Sequence, residues 1–310
     1  MHIPDGFLKP EVWTTASVVS AGTVGYAARR AVRVLPPEKQ PMVGLAGAFV
    51  FAAQALNFPV LPGVSGHMLG GLLACLLVGP AAAIVVMTVV FLIQALLFAD
   101  GGLTTLGANV FNMGIGGLLC GYGAYVGLRQ LSASRAWMLA SVFAAAWLSV
   151  MVAALLASLE LIVSGVAGSV IVGPMLGVHA VIGVAEALLT VAALQLVLST
   201  RPDLIGEPAG ERPVSAQKWL WGGIALCGVM ALILAPLASS APDGLEAVAE
   251  RWGFADSALD SVVARSPLAD YGIAGLSGQA LGTATSVFVG TLVVLGILLV
   301  VARGLVRPKQ

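Results

Sequence analysis

Few residues in this chain can do chemistry, and the most unusual pair comes first. The sequence opens Met1-His2-Ile3-Pro4-Asp5-Gly6-Phe7-Leu8, which sets an imidazole one residue after the terminus. With that terminus unmodified, the Met1 α-amine, the deprotonated His2 backbone nitrogen and a His2 ring nitrogen close fused chelate rings in one plane. Such a nitrogen set suits Ni(II) or Cu(II), which favour tetragonal nitrogen and oxygen ligation. The fourth position needs another donor. Only His67 and His179 remain, and His67 is the better placed, at the end of a Pro/Gly-rich loop running from Val60 to Gly66. A bulky His2 discourages removal of Met1, and Pro4-Asp5-Gly6 reads as a turn that folds the terminus back. On chemistry alone, the same residues also fit a frayed, solvated terminus.

A second centre competes with the first. His179 and Glu186 stand seven residues apart, two helical turns along one face. An intramembrane imidazole and carboxylate can relay protons, form a second ion site or simply satisfy each other's hydrogen bonds. The pair lacks the H-E-x-x-H spacing of a zinc peptidase. Asn109 and Asn112, three residues apart, read as one polar face at the depth of His67. Together with Ser65 they are candidates for a shell that orients the imidazoles, the alternative being plain interhelical hydrogen bonding. Glu160 lies near the outer end of its apolar run. Cys75, Cys120 and Cys227 match neither a disulfide framework nor a zinc spacing and read as small apolar packing.

The elements that must position these groups are membrane helices. Hydrophobic residues make up 59% of the chain and charged residues 10%, against about 25% charged in a soluble domain. Apolar runs predict an all-α polytopic membrane protein with about nine spans, at 11–32, 41–57, 66–79, 81–99, 104–127, 136–163, 174–199, 218–238 and 283–303. The first carries small residues (Ala16, Ser20, Ala21, Gly25, Ala28) that favour close approach of a neighbouring helix or another subunit. Gly79-Pro80 makes the third and fourth a tight hairpin. No cleavable signal is expected ahead of the first span.

Basic residues set the orientation. Arg29, Arg30, Arg33 and Lys39, then Arg129 and Arg135, then Arg201, Arg212 and Lys218, then Arg303, Arg307 and Lys309 all fall on one side of the nine-span arrangement. The positive-inside rule makes that side cytoplasmic, so the N-terminus faces outward and the C-terminus inward. Lys9, Arg251 and Arg265 fall opposite. The polar stretch 201–217 reads as a linker between a core (1–200) and a two-span unit (218–310). That unit carries an outward segment at about 240–282 with one short amphipathic helix at 244–252. Zero formal net charge, with dispersed basic residues, gives no reason to invoke nucleic acid. No Gly-Lys pair occurs, so the chain holds no Walker A phosphate loop.

Four stretches together resemble a known family: the opening Met-His-Ile-Pro-Asp-Gly-Phe-Leu, Ser65-Gly66-His67, Leu106-Gly107-Ala108-Asn109-Val110-Phe111-Asn112-Met113, and His179-x-x-Ile182-Gly183-x-x-Glu186-Ala187. They look like the nickel/cobalt substrate-binding membrane components of energy-coupling-factor transporters. Residues 218–303, with Pro242-Asp243-Gly244-Leu245-Glu246 and Ser266-Pro267-Leu268-x-Asp270-Tyr271-Gly272, look like the family's small accessory subunit, here fused. The resemblance implies a seven-helix core plus two accessory helices in the cytoplasmic membrane of a prokaryote. It implies an ion held as cargo in a four-nitrogen plane by the Met1 amine, the His2 backbone and ring, and His67. It also implies a separate transmembrane coupling subunit and cytoplasmic ATPases, with no organic cofactor and no enzymatic activity in this chain. Pro4-Asp5 and the fused unit look more like the nickel branch, with Co(II) as the alternative. Two rival functions rest on His179 and Glu186: a proton-coupled secondary transporter and, ranked last, an intramembrane metalloenzyme.

Overall fold

Long apolar runs bounded by Pro, Gly and basic residues leave the backbone one way to satisfy itself in lipid, and that is helix. The computed structural model describes residues 1–205, 214–259, 263–273 and 278–305. Arg212, Arg307, Lys309 and the Glu211-Arg212-Pro213 part of the linker lie outside the described residues. In chain order the helices are α1 (Pro10–Val34), α2 (Gln40–Gln54), α3 (Gly71–Val78), α4 (Pro80–Phe98), α5 (106–129), α6 (Arg135–Val163), α7 (Val172–Thr200), α8 (Ala216–Leu237), α9 (Gly244–Trp252) and α10 (Gln279–Leu305). A two-stranded antiparallel hairpin, β1 (Phe58–Leu61) with β2 (Val64–Gly66), lies between α2 and α3.

Five of these segments, among the described residues, are long and apolar enough to cross a membrane: Pro80–Phe98, Arg135–Val163, Ser169–Thr200, Ala216–Leu237 and Gln279–Leu305. α1 has the length, at 25 residues, but is less apolar, while α2 has 15 and α3 only 8, short of the ~20 a lone span needs. The third predicted span is the main difference. Its first residues, 66–70, are not helical: Gly66 closes β2, His67 to Gly70 form a loop, and Gly70 adopts a left-handed φ of 75° before α3 begins at Gly71. His67 therefore precedes the helix. Gly79, at φ 83°, makes the expected turn into α4.

The helices run so that one end of the bundle collects residues 1–9, 57–70, 99–105, 164–171, 238–259 and 263–273. Lys9 N–H donates to Ser164 Oγ at 3.1 Å, Ser239 N–H to the Asn57 carbonyl at 2.7 Å, and Ser266 Oγ to the Leu97 carbonyl at 2.6 Å. At the opposite end Lys39 Nζ donates to the Leu77 carbonyl at 2.9 Å and Trp219 Nε1 to Thr200 Oγ1 at 3.0 Å. By helix direction, the described basic residues of the four predicted clusters gather at this second end. The accessory unit is seated on the core, since α10 lays Leu295, Leu298 and Leu299 over Gly44 and Gly47 of α2, where a Cβ has no room. Cys75 and Cys227 are buried as expected of small apolar residues, but Cys120 is exposed on the side of α5.

Three π-helical segments interrupt helices among the described residues, one in α8 at Met230–Leu234 and two in the core, at Gln94–Phe98 and Val110–Gly117. Such bulges commonly mark functional positions because they re-aim the residues around them. Of the two in the core, one lies just before Asp100 and the other just after Asn109.

Candidate metal centre

The N-terminal segment is buried, not frayed. Met1, Ile3, Phe7 and Leu8 are all under 6% exposed. Ile3, Phe7 and Leu8 pack in one apolar cluster with Leu245, Val248 and Phe254 of the accessory unit. Polar bonds then fix the backbone path. The Asn109 side-chain amide takes both sides of Ile3: its Oδ1 accepts from Ile3 N–H at 2.8 Å and its Nδ2 donates to the Ile3 carbonyl at 3.1 Å. Thr105 Oγ1 and Gly102 N–H donate to the same carbonyl at 2.5 and 3.0 Å. Asp5 accepts from the Thr104 N–H at 2.8 Å, its hydroxyl at 2.5 Å and the Leu103 N–H at 3.1 Å. Gly6 completes the predicted turn at φ 92°.

This path delivers the terminus to His67. Met1 N stands 3.1 Å from His67 Nε2, across a sequence separation of 66 residues. The His2 and His67 rings stack with centroids 5.3 Å apart and planes within 11°. His67 Nδ1 lies 3.2 Å from the Met68 carbonyl, which draws the ring proton to Nδ1 and leaves the Nε2 lone pair facing the amine. Burial, then the Met1 ammonium beside it, pushes the His67 imidazole down to about 3, so it stays a neutral donor. No hydrogen bond engages the His2 backbone N–H among the described residues. The amine and one imidazole thus meet, a second imidazole stacks beside them, and the His2 backbone N–H is left open among the described residues.

Two carboxylates close the site. Asp243 Oδ2 accepts from the Met1 amine and lies 3.9 Å from His67 Nε2. Asp100 Oδ1 lies 3.0 Å from His2 Nδ1. Burial pushes both carboxyls up, but the Met1 ammonium beside Asp243 and the His2 ring hydrogen-bonded to Asp100 win, and hold both well below the usual carboxylate range. A cavity of about 630 Å³ lies against these groups, lined by His2, His67, Asp100, Asp243, Glu246 and Tyr271 among others. No cluster of three or more His, Cys, Asp or Glu side chains in metal-holding geometry occurs among the described residues.

The other predicted site residues are placed as follows. Ser65 ties the hairpin to the accessory unit, its Oγ donating to the Ala241 carbonyl at 2.7 Å and its N–H to the Pro242 carbonyl at 2.8 Å. Asn112 donates to Glu160 Oε2 at 2.7 Å, whereas Asn109 holds Ile3. The π-helical turn that starts at Val110 spoils the three-residue spacing that would have put Asn112 beside Asn109. Glu186 accepts from the Leu69 and Gly70 N–H groups at 2.7 and 3.0 Å, just beyond His67. His179 Nδ1 bonds the Met175 carbonyl at 2.7 Å, and its Nε2 is buried without a partner beneath Gly244. His179 and Glu186 share no hydrogen bond among the described residues.

Sequence reasoning missed Asp243, Asp100 and Tyr271. Only Asp243 carries a local signal. Asp-x-x-Glu is a capping box, and Asp243 caps α9 through Leu245 and Glu246 N–H while Glu246 reaches back to the Asp243 N–H at 2.9 Å. That spacing predicts the helix start but not the free oxygen left for Met1.

Comparison with known proteins identifies both parts of the chain. Residues 2–204 match the family described as cobalt uptake substrate-specific transmembrane region, and residues 217–307 match the PDGLE domain. A fused NikMN protein of Archaeoglobus fulgidus, named for nickel transport, is 33% identical over 307 residues, covering 96% of each chain. The cobalt transport protein CbiM of Desulforamulus reducens is 36% identical over 224 residues, 68% of this chain and 87% of its own. A crystal structure of a truncated transition metal transporter superposes with a TM-score of 0.59 at 28% identity, covering 64% of this chain and 99% of that one. With the family matched across 2–204 and a fused relative aligned over nearly its whole length, the chain belongs to the cobalt uptake substrate-specific transmembrane family, a multi-pass membrane component of metal uptake that carries a PDGLE domain on the same polypeptide.

Proposed function

We propose that this chain is the substrate-binding component of an energy-coupling-factor importer and that it captures Ni(II), in preference to Co(II), at the outer face. Met1 as the free amino terminus, the His2 backbone nitrogen, a His2 ring nitrogen and His67 Nε2 form a four-nitrogen plane around the ion. The observation that carries this reading is the buried Met1 amine 3.1 Å from His67 Nε2, with a second imidazole stacked beside it. Residues 1–200 are the metal-binding core, 201–217 a cytoplasmic linker, and 218–310 the accessory unit whose outward segment caps the site. The chain spans the membrane with its basic end in the cytoplasm. A separate transmembrane coupling subunit and cytoplasmic ATPases supply the work of transport.

The charge balance favours such a site. As a divalent ion enters, one proton leaves the ammonium and one leaves the His2 amide. The buried centre therefore presents the same net charge to Asp243 and Asp100 whether empty or filled. A metal-bound amine keeps N–H groups for Asp243, so the ion pair converts to a hydrogen bond without losing its partner. Asn109 acts one step back, fixing Ile3 so that the His2 nitrogen faces the ion. Nickel is supported by the planar nitrogen set, which suits its ligand field. It is also supported by the fused relatives, since the NikMN proteins of Archaeoglobus fulgidus and Rhodobacter capsulatus are both named for nickel transport.

The test is metal content and absorption of the purified full chain after separate challenge with Ni(II) and Co(II). One equivalent of nickel with the yellow, diamagnetic signature of a planar site is the expected result. A preference for cobalt, or nickel in an octahedral spectrum, would sink the four-nitrogen reading.

A further inference from the structure

His2 has two ring nitrogens, and only Nδ1 closes a six-membered chelate ring with its own backbone nitrogen. In the structure that nitrogen is already engaged, 3.0 Å from Asp100 Oδ1, while Nε2 is buried without a partner. Asp100 is held in turn by the accessory unit, for the Tyr271 hydroxyl donates to its Oδ2 at 2.6 Å across 171 residues of sequence.

Tyr271 is held in place against its backbone preference. Asp270 and Tyr271 take left-handed φ values of 53° and 54° in succession, a region bulky L residues rarely enter. Strain of this kind persists only where the surroundings over-determine it. The surroundings do so here. The Tyr271 ring stacks on Phe98 with centroids 4.8 Å apart, Gln94 Nε2 donates to its hydroxyl at 3.3 Å, and Ser286 Oγ of α10 donates to its carbonyl at 2.5 Å. The turn is clamped from both sides, and the phenol is aimed at Asp100.

We propose that Asp100 and Tyr271 form a release latch, holding His2 Nδ1 in the empty site and competing with the ion for that nitrogen. The inference rests on the chelate reading above. The Asp100 contact and the metal bond need the same nitrogen, so they exclude each other. An interaction present in only one of two states moves the balance toward that state. The latch therefore favours the empty site, which suits a carrier that must surrender its ion. Tyr271 never touches the ion. It is a positioning residue that fixes the rotation of the Asp100 carboxylate so that Oδ1 faces His2.

The experiment compares Ni(II) release from the unaltered full chain and from Tyr271→Phe, followed by transfer to excess EDTA with the planar-nickel band as the readout. Release should slow about threefold to tenfold in the variant, the equivalent of one hydrogen bond, and the dissociation constant should fall in step. Stoichiometry and the absorption band should not change, whereas a merely structural Tyr271 would alter the band or the stoichiometry. Asp100→Asn should shift release in the same direction and further. If that variant does not fold, Tyr271→Phe decides alone. Faster release, weaker binding or unchanged constants in folded Tyr271→Phe overturn the latch. Absence of stoichiometric nickel in the unaltered chain overturns the chelate reading and the latch with it, and that measurement separates the two failures.

Discussion

Two histidine-bearing regions lie at the same end of the bundle, and they are built differently. At Met1, His2 and His67, groups from separate parts of the chain meet: the amine faces a His67 nitrogen and the two rings stack. At His179 and Glu186, two groups on the same face of α7 bond separate backbone, His179 that of its own helix at Met175 and Glu186 that of Leu69 and Gly70. Glu186 holds the Leu69 and Gly70 N–H groups that follow His67, and His179 lies beneath Gly244, next to the aspartate that meets Met1. The second region is thus a footing for the first. Residues that share a helix face share a direction, and shared direction does not make a site.

The largest effect that can break this comparison is a single residue added before Met1. It moves the amine away from His67 and turns it into an amide, so stoichiometric nickel binding should vanish while thermal unfolding in detergent stays within a few degrees. Retained nickel in that protein would remove the basis for treating the N-terminal region as the site. Next in size is a pair of alanine variants measured side by side. His67→Ala removes a proposed ligand and should weaken nickel binding by more than about 100-fold, beyond the range of outer-shell changes. His179→Ala should leave binding within about threefold. The reverse ranking would make the α7 region the metal centre after all.

Much of this fold was legible because the bilayer simplifies the code. Apolar run lengths located the helices, with boundaries such as 135–163 against a predicted 136–163 and 172–200 against 174–199. The capping helix at 244–252 was legible from its amphipathic pattern. The loop at 66–70 was not, since Met68 and Leu69 run on without a polar break into the apolar helix that follows. Only the β2 pairing and the carboxylate of Glu186 reveal why that stretch stays extended. Of the site, Met1, His2 and His67 could be named from the chemistry of a terminal chelate, and the structure brings them together. Asn112 could not be separated from Asn109, because a π-helical turn has no periodic signature in sequence. Asp100, Asp243 and Tyr271 meet the histidines only through tertiary folding, and an acidic residue in an outward loop ordinarily reads as solvated.

A smaller effect tests the footing itself. Glu186→Gln keeps one carbonyl acceptor but cannot serve both N–H groups, so the loop carrying His67 loses one of its two anchors. Nickel affinity should fall about tenfold, the lower end expected for a residue that orients a ligand, and amide exchange at Leu69 or Gly70 should quicken. Glu186→Ala should fall further. A proton-coupling carboxylate predicts the contrary pattern, with binding intact and a pH-driven uptake step lost.

The smallest effect is the most specific, and it concerns the contact between the two regions. A Cβ added at Gly244 would stand 2.9 Å from His179 Cε1 and from Ile182 Cδ1, and 3.1 Å from His179 Nε2. Either the imidazole or the start of α9 must move, and α9 is fixed there by the Asp243 capping box. Overpacking of this sort costs about 1–3 kcal/mol, so Gly244→Ala should unfold a few degrees below the unaltered chain in detergent. Because the clash is shared with one ring, His179→Ala should recover most of that loss in the double variant, as a double-mutant cycle would detect. Nickel affinity should change by less than about threefold throughout the cycle, since no ligand is touched. If instead the two substitutions add without recovery, His179 does not carry the accessory helix, and its unpartnered Nε2 needs another explanation.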